Sequence, residues 1–238
     1  MMKVSTNFFF VARRLLSLGY DAKVLVSDIA KGLAPNDCVN DRIDACNIAL
    51  AYARRGEAKT VVFIPSVEYH VYRDIWFGYR NAQKDVLRWK VGIWSFCNRH
   101  GLNEPVKAKT RNPDRIRKYI ECLGWPETRK FQIDTMLQSL EFAESMKKRA
   151  QARIGQIVAG NESMRRAMSV LGIGALGAFA LMAFVENIER FGNPKKLVRY
   201  TGLNPTVNKS GKDDVNGGLS YRGRGDLRSL LVEAANSA

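Results

Sequence analysis

The 238-residue sequence has few of the residues that hold metals or form disulfides. It contains four cysteines and two histidines, and no two cysteines form a C-x-x-C pair. Because no set of zinc-ligand spacings can be assembled from them, a structural zinc site is excluded, and a disulfide framework is not indicated. Scattered cysteines are typical of a reduced protein, so we expect a cytoplasmic one.

Long hydrophobic runs are also scarce. The apolar run at residues 8–12 is too short for a signal-peptide core, and its two arginines follow it instead of preceding it. Residues 167–185 carry no charge and reach the threshold length of a membrane-spanning helix. Three glycines crowded near the start of this run would weaken such a helix, which favours a turn between two helices over a membrane span. These glycines are Gly172, Gly174 and Gly177.

Acidic residues are under-represented relative to basic ones. Lys and Arg number 38 against 23 Asp and Glu, which gives a formal net charge of +15. The remaining composition is ordinary, with 46% hydrophobic residues, and excludes a wholly disordered chain and a multi-pass membrane protein. Since such an excess of positive charge attracts polyanions, nucleic acid is the leading partner, and an anionic membrane surface is the second candidate.

Hydrophobic periodicity divides the chain into three parts. Alternating helix and strand patterns over residues 1–65 predict a small α/β domain. A heptad-like apolar stripe over residues 66–99 and a second long helix after Pro126 predict a helical arm at 66–160, which suggests dimerisation. The arm also carries a basic stripe, either a solvated face or a surface that tracks phosphates. Its members are Arg73, Arg80, Lys84 and Arg88.

The last part, residues 161–238, is predicted to be all-α and to contain a helix-hairpin-helix. In that motif the amides of a turn at Gly172 and Gly174 face a phosphate. A glycine-rich basic stretch follows and precedes a final helix at 227–235, and we interpret it as an anion-binding loop instead of a flexible surface loop. Its basic residues, with one on the final helix, are Lys209, Lys212, Arg222, Arg224 and Arg228.

Several spaced blocks of this sequence resemble one family in order. Leu171–Gly174 is similar to its P-G-I-G turn, with Leu in place of Pro, and residues 190–205 are similar to its "R-F … Y-x-G-L-x-P" block. The Ser210-Gly211 pair, the glycine-basic loop and the closing helix follow, and Asn40–Ala45 resembles its N-D-x-x-D-A motif. The family is the bacterial insertion-sequence transposases of the DEDD/serine type, which includes the pilin-inversion recombinases and RNA-guided members.

The resemblance implies a two-part catalytic site. Carboxylates on an RNase H-like (RuvC-like) domain hold Mg²⁺, and a serine attacks a DNA phosphodiester to give a phosphoserine-linked strand end. By position, Asp41 and Asp44 are the expected metal ligands and Ser210 the expected nucleophile. The implied partners are DNA and a structured guide RNA, while the heptad-like stripe predicts further copies of the chain and the glycine turn favours no membrane partner. From spacing alone, an N-cap and a first-turn acid explain the two aspartates better than a metal site does, and only the family pattern favours the metal site.

The sequence departs from the family pattern at two metal-binding positions. The family's first acidic strand has no counterpart, and Lys3 stands where its glutamate is expected. We therefore expect a member truncated at both ends with impaired catalysis. The alternatives are a nucleic-acid-binding protein without catalysis and, third, a single-span membrane protein. The expected fold class is α+β and mostly α, with a partial RNase H-like fragment, a coiled-coil-like arm and an all-α C-terminal domain.

Overall fold

A computed structural model of the chain describes residues 2–3, 8–25, 41–55, 61–102, 112–210, 213–219 and 223–237. Most of these residues are helical, as expected for a mostly α fold. They divide into two compact units, Met1–Glu68 and Tyr69–Ala238.

The first unit combines short strands with two helices. Strand β1 (Met2–Lys3) pairs in parallel with β2 (Val24–Leu25), and Leu25 forms an antiparallel bridge to Val61. Helix α1 (Phe8–Ser17) contributes the buried Ala12, and helix α2 spans Asp41–Arg55. The sequence patterns predict both helices and a strand at β2, whereas β1 was not predicted.

The second unit begins with two long helices and a short one between them. Helix α3 spans Val67–Arg99, α4 spans Pro113–Glu121 and α5 spans Glu127–Gly160. Asn112 caps α4 by accepting a hydrogen bond from the amide of Asp114 at 2.9 Å. Helices α3 and α5 run antiparallel, since Lys90 of α3 pairs with Glu144 of α5 at 2.7 Å while Gly92, later in α3, faces Met136, earlier in α5. The apolar faces of the two helices form a core. That core includes Val86, Ile93, Phe96, Ile133, Leu137 and Leu140.

The apolar stripe predicted for α3 holds in its second half and is wrong in its first. Val67 and Val71 are 67% and 48% exposed, whereas Arg73, Trp76 and Tyr79 are buried. A straight helix drifts relative to a seven-residue repeat, so one stripe cannot face one partner along its whole length. Here the first half of α3 packs against a second hydrophobic cluster, built from a different set of helices.

That second cluster is centred on helix α7 (Ala175–Val185), whose apolar residues are largely buried. Helix α6 (Glu162–Ala167) precedes it, and residues 168–174 form the intervening turn. The uncharged run at 167–185 is therefore not one helix, since the turn interrupts it. Within the described part of the chain, none of the helices combines the length and apolar character that crossing a membrane requires.

The C-terminal part is not all-α, contrary to the prediction. A 3₁₀ turn (Ile188–Phe191) and helix α8 (Pro194–Thr201) lead into an antiparallel hairpin of β3 (Pro205–Ser210) and β4 (Asp213–Leu219), followed by helix α9 (Gly225–Ser237). Only two residues separate the strands, as in the commonest hairpins, and β-branched residues at 206, 207 and 215 favour extended backbone. Polarity and glycine content concealed this pattern in the sequence.

Candidate nucleic-acid interface

Ser210 lies at the closed end of the β3–β4 hairpin, which we call the serine hairpin. The strand register pairs Ser210 with Asp213 and Lys209 with Asp214. At the other end, Pro205 pairs with Leu219, and the Thr206 hydroxyl donates to the Gly218 carbonyl at 2.8 Å. The hairpin places the backbone of Ser210 and Lys209 at its tip, while side chains at 207–217 lie outside the described set.

Both ends of the serine hairpin are attached to the end of helix α8. The chain leaves α8 through Gly202, and after β4 it returns to the same place at Gly223. A Cβ atom on Gly223 would lie 2.7 Å from the Gly202 nitrogen and 2.8 Å from the Tyr200 oxygen, so only glycine fits there. The Arg224 amide then donates to the Tyr200 carbonyl at 2.9 Å. The base of the hairpin is therefore fixed by backbone contacts.

A cluster of cationic and aromatic side chains surrounds Phe184 beside this base, and we call it the Phe184 hub. The carbonyl oxygen of Phe184 accepts hydrogen bonds from Arg73 Nη2 at 3.3 Å, Arg190 Nη2 at 2.9 Å and Tyr200 Oη at 3.1 Å. The Arg224 guanidinium lies 3.8 Å from the centroid of the Phe184 ring, a cation–π contact. The hub joins helices α3, α7 and α8 to Arg224, which lies between the end of the hairpin at Leu219 and helix α9.

The charges of the hub are stabilised by the end of α7. Burial lowers the pKa of the Arg73 guanidinium, Arg224 and Arg190 lower it further, and Tyr200 and Glu186 act in the opposite direction. Arg73 also donates from Nε to the Ala183 carbonyl at 2.9 Å, and Arg190 from Nε to the Val185 carbonyl at 2.9 Å. Because the last carbonyls of a helix carry partial negative charge, they stabilise cations placed against them.

The predicted basic stripe on α3 is not one exposed surface. Arg73 is 6% exposed and belongs to the Phe184 hub, so its placement on a phosphate-tracking face is wrong. Its position on the buried side follows from the drift of α3 described above. Arg80 is half-buried, donates to Gln83 at 3.0 Å and lies 6.0 Å from the Trp76 ring centroid. Lys84 and Arg88 are exposed, and Arg88 pairs with Asp85 at 3.1 Å.

The glycine turn at Gly172 and Gly174 lies against helix α9. Gly172 has a φ of +83°, and a Cβ atom there would lie 2.1 Å from the Ala234 oxygen, so one side of the turn is covered by protein. Gly174 is the N-cap of α7. Both glycines line a cavity of about 240 Å³ that Arg80 also lines, with Glu233 from α9 on its wall. The structure thus brings together three residues predicted to bind nucleic acid, beside two carboxylates, Glu233 and Asp226.

The remaining predicted basic residues are divided between described and undescribed parts. Arg224 contacts the Phe184 ring and pairs with Asp226 at 3.5 Å. Arg228 is half-buried one turn later on α9. Lys212 and Arg222 lie outside the described residues, as does the side chain of Lys209.

The predicted metal ligands lie one turn apart at the start of helix α2. Asp41 is its first residue and Asp44 follows at i+3, but their side chains lie outside the described set. Among the described residues, no group of three or more histidine, cysteine, aspartate or glutamate side chains could hold a metal ion. Cys97, one turn from His100, is 1% exposed, and burial raises its thiol pKa to about 11. It is a core residue.

Sequence reasoning gave no role to Arg190, Tyr200 or Phe184, although the first two stand in the motif blocks that carry the family resemblance. The spacing of those blocks was the signal that could have identified them, because Arg190 and Tyr200 both donate to the Phe184 carbonyl. A buried arginine that donates to helix carbonyls cannot be recognised from a single sequence, because its partners are backbone atoms, which every residue has.

Residues 164–238 match the sequence model described as Transposase IS116/IS110/IS902 family. The transposase for insertion sequence element IS1111A of Coxiella burnetii is 35% identical over 81 residues, 34% of this chain and 22% of that protein. The "Putative transposase y4qE" of Sinorhizobium fredii is 23% identical over 232 residues, 94% of this chain and 54% of that protein. The "Probable family 20 transposase" of Pseudomonas aeruginosa is 29% identical over 98 residues, 41% of this chain and 29% of that protein.

These matches make residues 164–238 similar to the IS116/IS110/IS902 transposase family. The family match covers helices α7 to α9 and the serine hairpin. The matched regions span at most about half the length of the curated relatives.

Proposed function

We propose that this protein is an insertion-sequence transposase that binds DNA and cuts and rejoins its phosphodiester backbone through Ser210. The observation that carries the proposal is the position of Ser210 at the tip of a hairpin whose base is fixed to the helical core. A nucleophile at such a tip can reach into a DNA groove while the core holds its orientation. Lys209 and Lys212 adjoin it in the sequence and supply cations for a phosphate.

The chemical step is a transesterification. The Ser210 Oγ attacks a backbone phosphorus and forms a serine–phosphate bond, while the bond from that phosphorus to the leaving sugar oxygen breaks. The serine proton ends on the leaving hydroxyl, so no water and no oxidant are consumed. Attack of another sugar hydroxyl on the phosphoserine reverses the step and joins new strands.

Asp41 and Asp44 are proposed to hold Mg²⁺. They fit this role in one respect that the backbone of α2 supports, because residues at i and i+3 share a helix face and carboxylates suit a hard cation. When bound, the ion supplies positive charge that stabilises the developing phosphoryl charge. Since Lys3 stands where the resemblance expects a third carboxylate, we expect weak metal affinity and slow strand transfer.

DNA is the proposed main partner, and a structured guide RNA and self-association are proposed with it. The net charge of +15 supports polyanion binding of either kind. Self-association through the arm of α3 and α5 is supported by apolar residues that the hairpin of helices leaves uncovered. Leu87, Val91 and Trp94 are 61%, 50% and 46% exposed along one side of α3.

The test is trapping of a covalent protein–DNA adduct. Purified protein is incubated with labelled DNA that carries insertion-sequence ends and Mg²⁺, then denatured and run on a gel. We expect an adduct with the wild type, none with Ser210→Ala, and strongly reduced adduct with Asp41→Ala, while all three bind DNA alike. Ser145→Ala is the matched control, because Ser145 is an exposed serine on α5 whose hydroxyl donates to the Phe142 carbonyl at 2.8 Å.

Two results would contradict the proposal. An adduct that persists in Ser210→Ala would assign the nucleophile elsewhere. Salt-sensitive DNA binding by the wild type, with no adduct or strand joining, would favour the alternative of a nucleic-acid-binding protein without catalysis.

A further inference from the structure

We propose that Arg73 is a positioning residue that sets the orientation of the serine hairpin from the helical arm. The inference rests on the proposed role of Ser210. Arg73 lies on α3, more than a hundred residues before the hairpin, and its residue surface is only 6% exposed.

The first step is the pair of hydrogen bonds from Arg73 to the end of α7. Its Nε donates to the Ala183 carbonyl at 2.9 Å and its Nη2 to the Phe184 carbonyl at 3.3 Å, two acceptors on consecutive residues. The planar guanidinium meets both carbonyls in one fixed geometry. Because a charged group is expensive to bury, this arginine stabilises one arrangement of α3 against α7 more specifically than an apolar side chain would.

The second step leads from Phe184 to the base of the hairpin. Its carbonyl accepts from Tyr200, the penultimate residue of α8, and its ring lies under the Arg224 guanidinium. Tyr200 and Arg224 are themselves joined by a backbone hydrogen bond of 2.9 Å. These two residues flank the hairpin on either side in the chain. A shift of Phe184 therefore moves both ends of the hairpin together.

The third step is the distance between the base of the hairpin and Ser210 at its tip. Ser210 is five residues beyond Pro205, a distance of about 17 Å along an extended strand, so a rotation of about 3° at the base displaces the tip by about 1 Å. A misplacement of about 1 Å at a reacting group can lower a rate by about 100-fold. A small loosening of the hub is thus sufficient to affect strand transfer without unfolding the protein.

The choice of arginine is specific to this geometry. A lysine at residue 73 keeps the charge but offers one flexible ammonium in place of two nitrogens held in a plane. We therefore expect Arg73→Lys to fold, to keep its affinity for DNA and to lose hairpin orientation. Arg117→Lys is the matched control. Arg117 on α4 also bonds through several nitrogens, to Asp134 and Glu141 of α5, and adjoins the other hydrophobic cluster.

The experiment compares hydrogen exchange of peptides covering residues 205–219 in the wild type, Arg73→Lys and Arg117→Lys. We expect the hairpin amides of Arg73→Lys to exchange at least about tenfold faster, and those of Arg117→Lys to match the wild type, at similar thermal stability of the two variants. With adduct-forming protein, the rate constant at saturating DNA should fall about 10- to 100-fold in Arg73→Lys alone, with the DNA dissociation constant unchanged.

Unchanged hairpin exchange in Arg73→Lys, or equal acceleration in Arg117→Lys, would overturn the proposal. Faster exchange with an unchanged rate constant would also overturn it, because the hairpin would then move without consequence. The exchange measurement needs no catalysis. If the wild type forms no adduct, the proposed function fails while the mechanical link between Arg73 and the hairpin is still tested.

Discussion

At the scale of single residues, the C-terminal unit depends on close backbone approaches that few residue types allow. Gly172 and Gly223 both have positive φ, and each faces the backbone of another element at a distance that leaves no space for a Cβ atom. The two glycines fasten the turn before α7 to α9 and the hairpin to α8. Both glycines allow tight packing between elements. The sequence pattern had predicted a different role for Gly172, namely contact with a phosphate.

We expect Gly172→Ala to destabilise the protein. The added methyl would lie 2.1 Å from the Ala234 oxygen at a φ of +83°, so a left-handed strain adds to a steric clash. Together these effects should cost about 2–4 kcal/mol of unfolding free energy, measured by urea denaturation.

Gly174→Ala is the control for that measurement, because its φ is −82° and nothing lies within 4 Å of an added Cβ. A change within about 1 kcal/mol is expected there. Equal losses in the two variants would show that helix α9 does not hold the turn as described.

At the scale of elements, the junction between α5 and α6 is made by a single side chain. Asn161 ends the 34-residue helix α5 and begins α6, and its Oδ1 accepts a hydrogen bond from the Met164 amide at 3.0 Å. This cap redirects the chain so that Met164 is buried beneath α7. Without it, the backbone amides at the start of α6 would lose an acceptor.

We expect Asn161→Ala to lower stability by about 1 kcal/mol, the usual cost of removing a helix N-cap. Asn161→Asp keeps an acceptor oxygen at the same place and should stay close to the wild type. Thermal unfolding followed by circular dichroism distinguishes them. A wild-type melting temperature for Asn161→Ala would mean that packing of Met164 alone defines the junction.

At the scale of the whole molecule, the formal charge of +15 governs association with polyanions. Several cations are engaged within the fold. Arg73 and Arg190 donate hydrogen bonds to carbonyls at the end of α7, and Arg117 donates to two carboxylates of α5. The charge available to a phosphate backbone is therefore smaller than the total, and on the arm it includes Lys84.

We expect the logarithm of the DNA association constant to fall with the logarithm of salt concentration at a slope near −5, which corresponds to about six phosphate contacts. Lys84→Gln should reduce the magnitude of that slope by about 1 if the arm follows the backbone. Fluorescence anisotropy over a range of salt concentrations measures both. A flat response would count against every nucleic-acid function proposed for this chain.

The sequence predicted most helices well, because their ends carry local signals. Asn112 and Asn193 cap helices that start with proline, and Gly101 and Gly202 end helices with positive φ. It failed at the serine hairpin, where strand pairing joins residues by backbone hydrogen bonds that polarity does not reveal. It failed also at Arg73, whose exposure depends on which neighbours α3 meets.

The sequence by itself therefore determined most of the helices, the excess charge and the similarity of residues 164–238 to one transposase family, since each is encoded in local pattern or spaced motifs. The tertiary structure alone decided which basic residues face solvent and which are buried. Burial of an arginine depends on the carbonyls of a helix a hundred residues away. The same packing decides that the hairpin carrying Ser210 is fastened to the core at both of its ends.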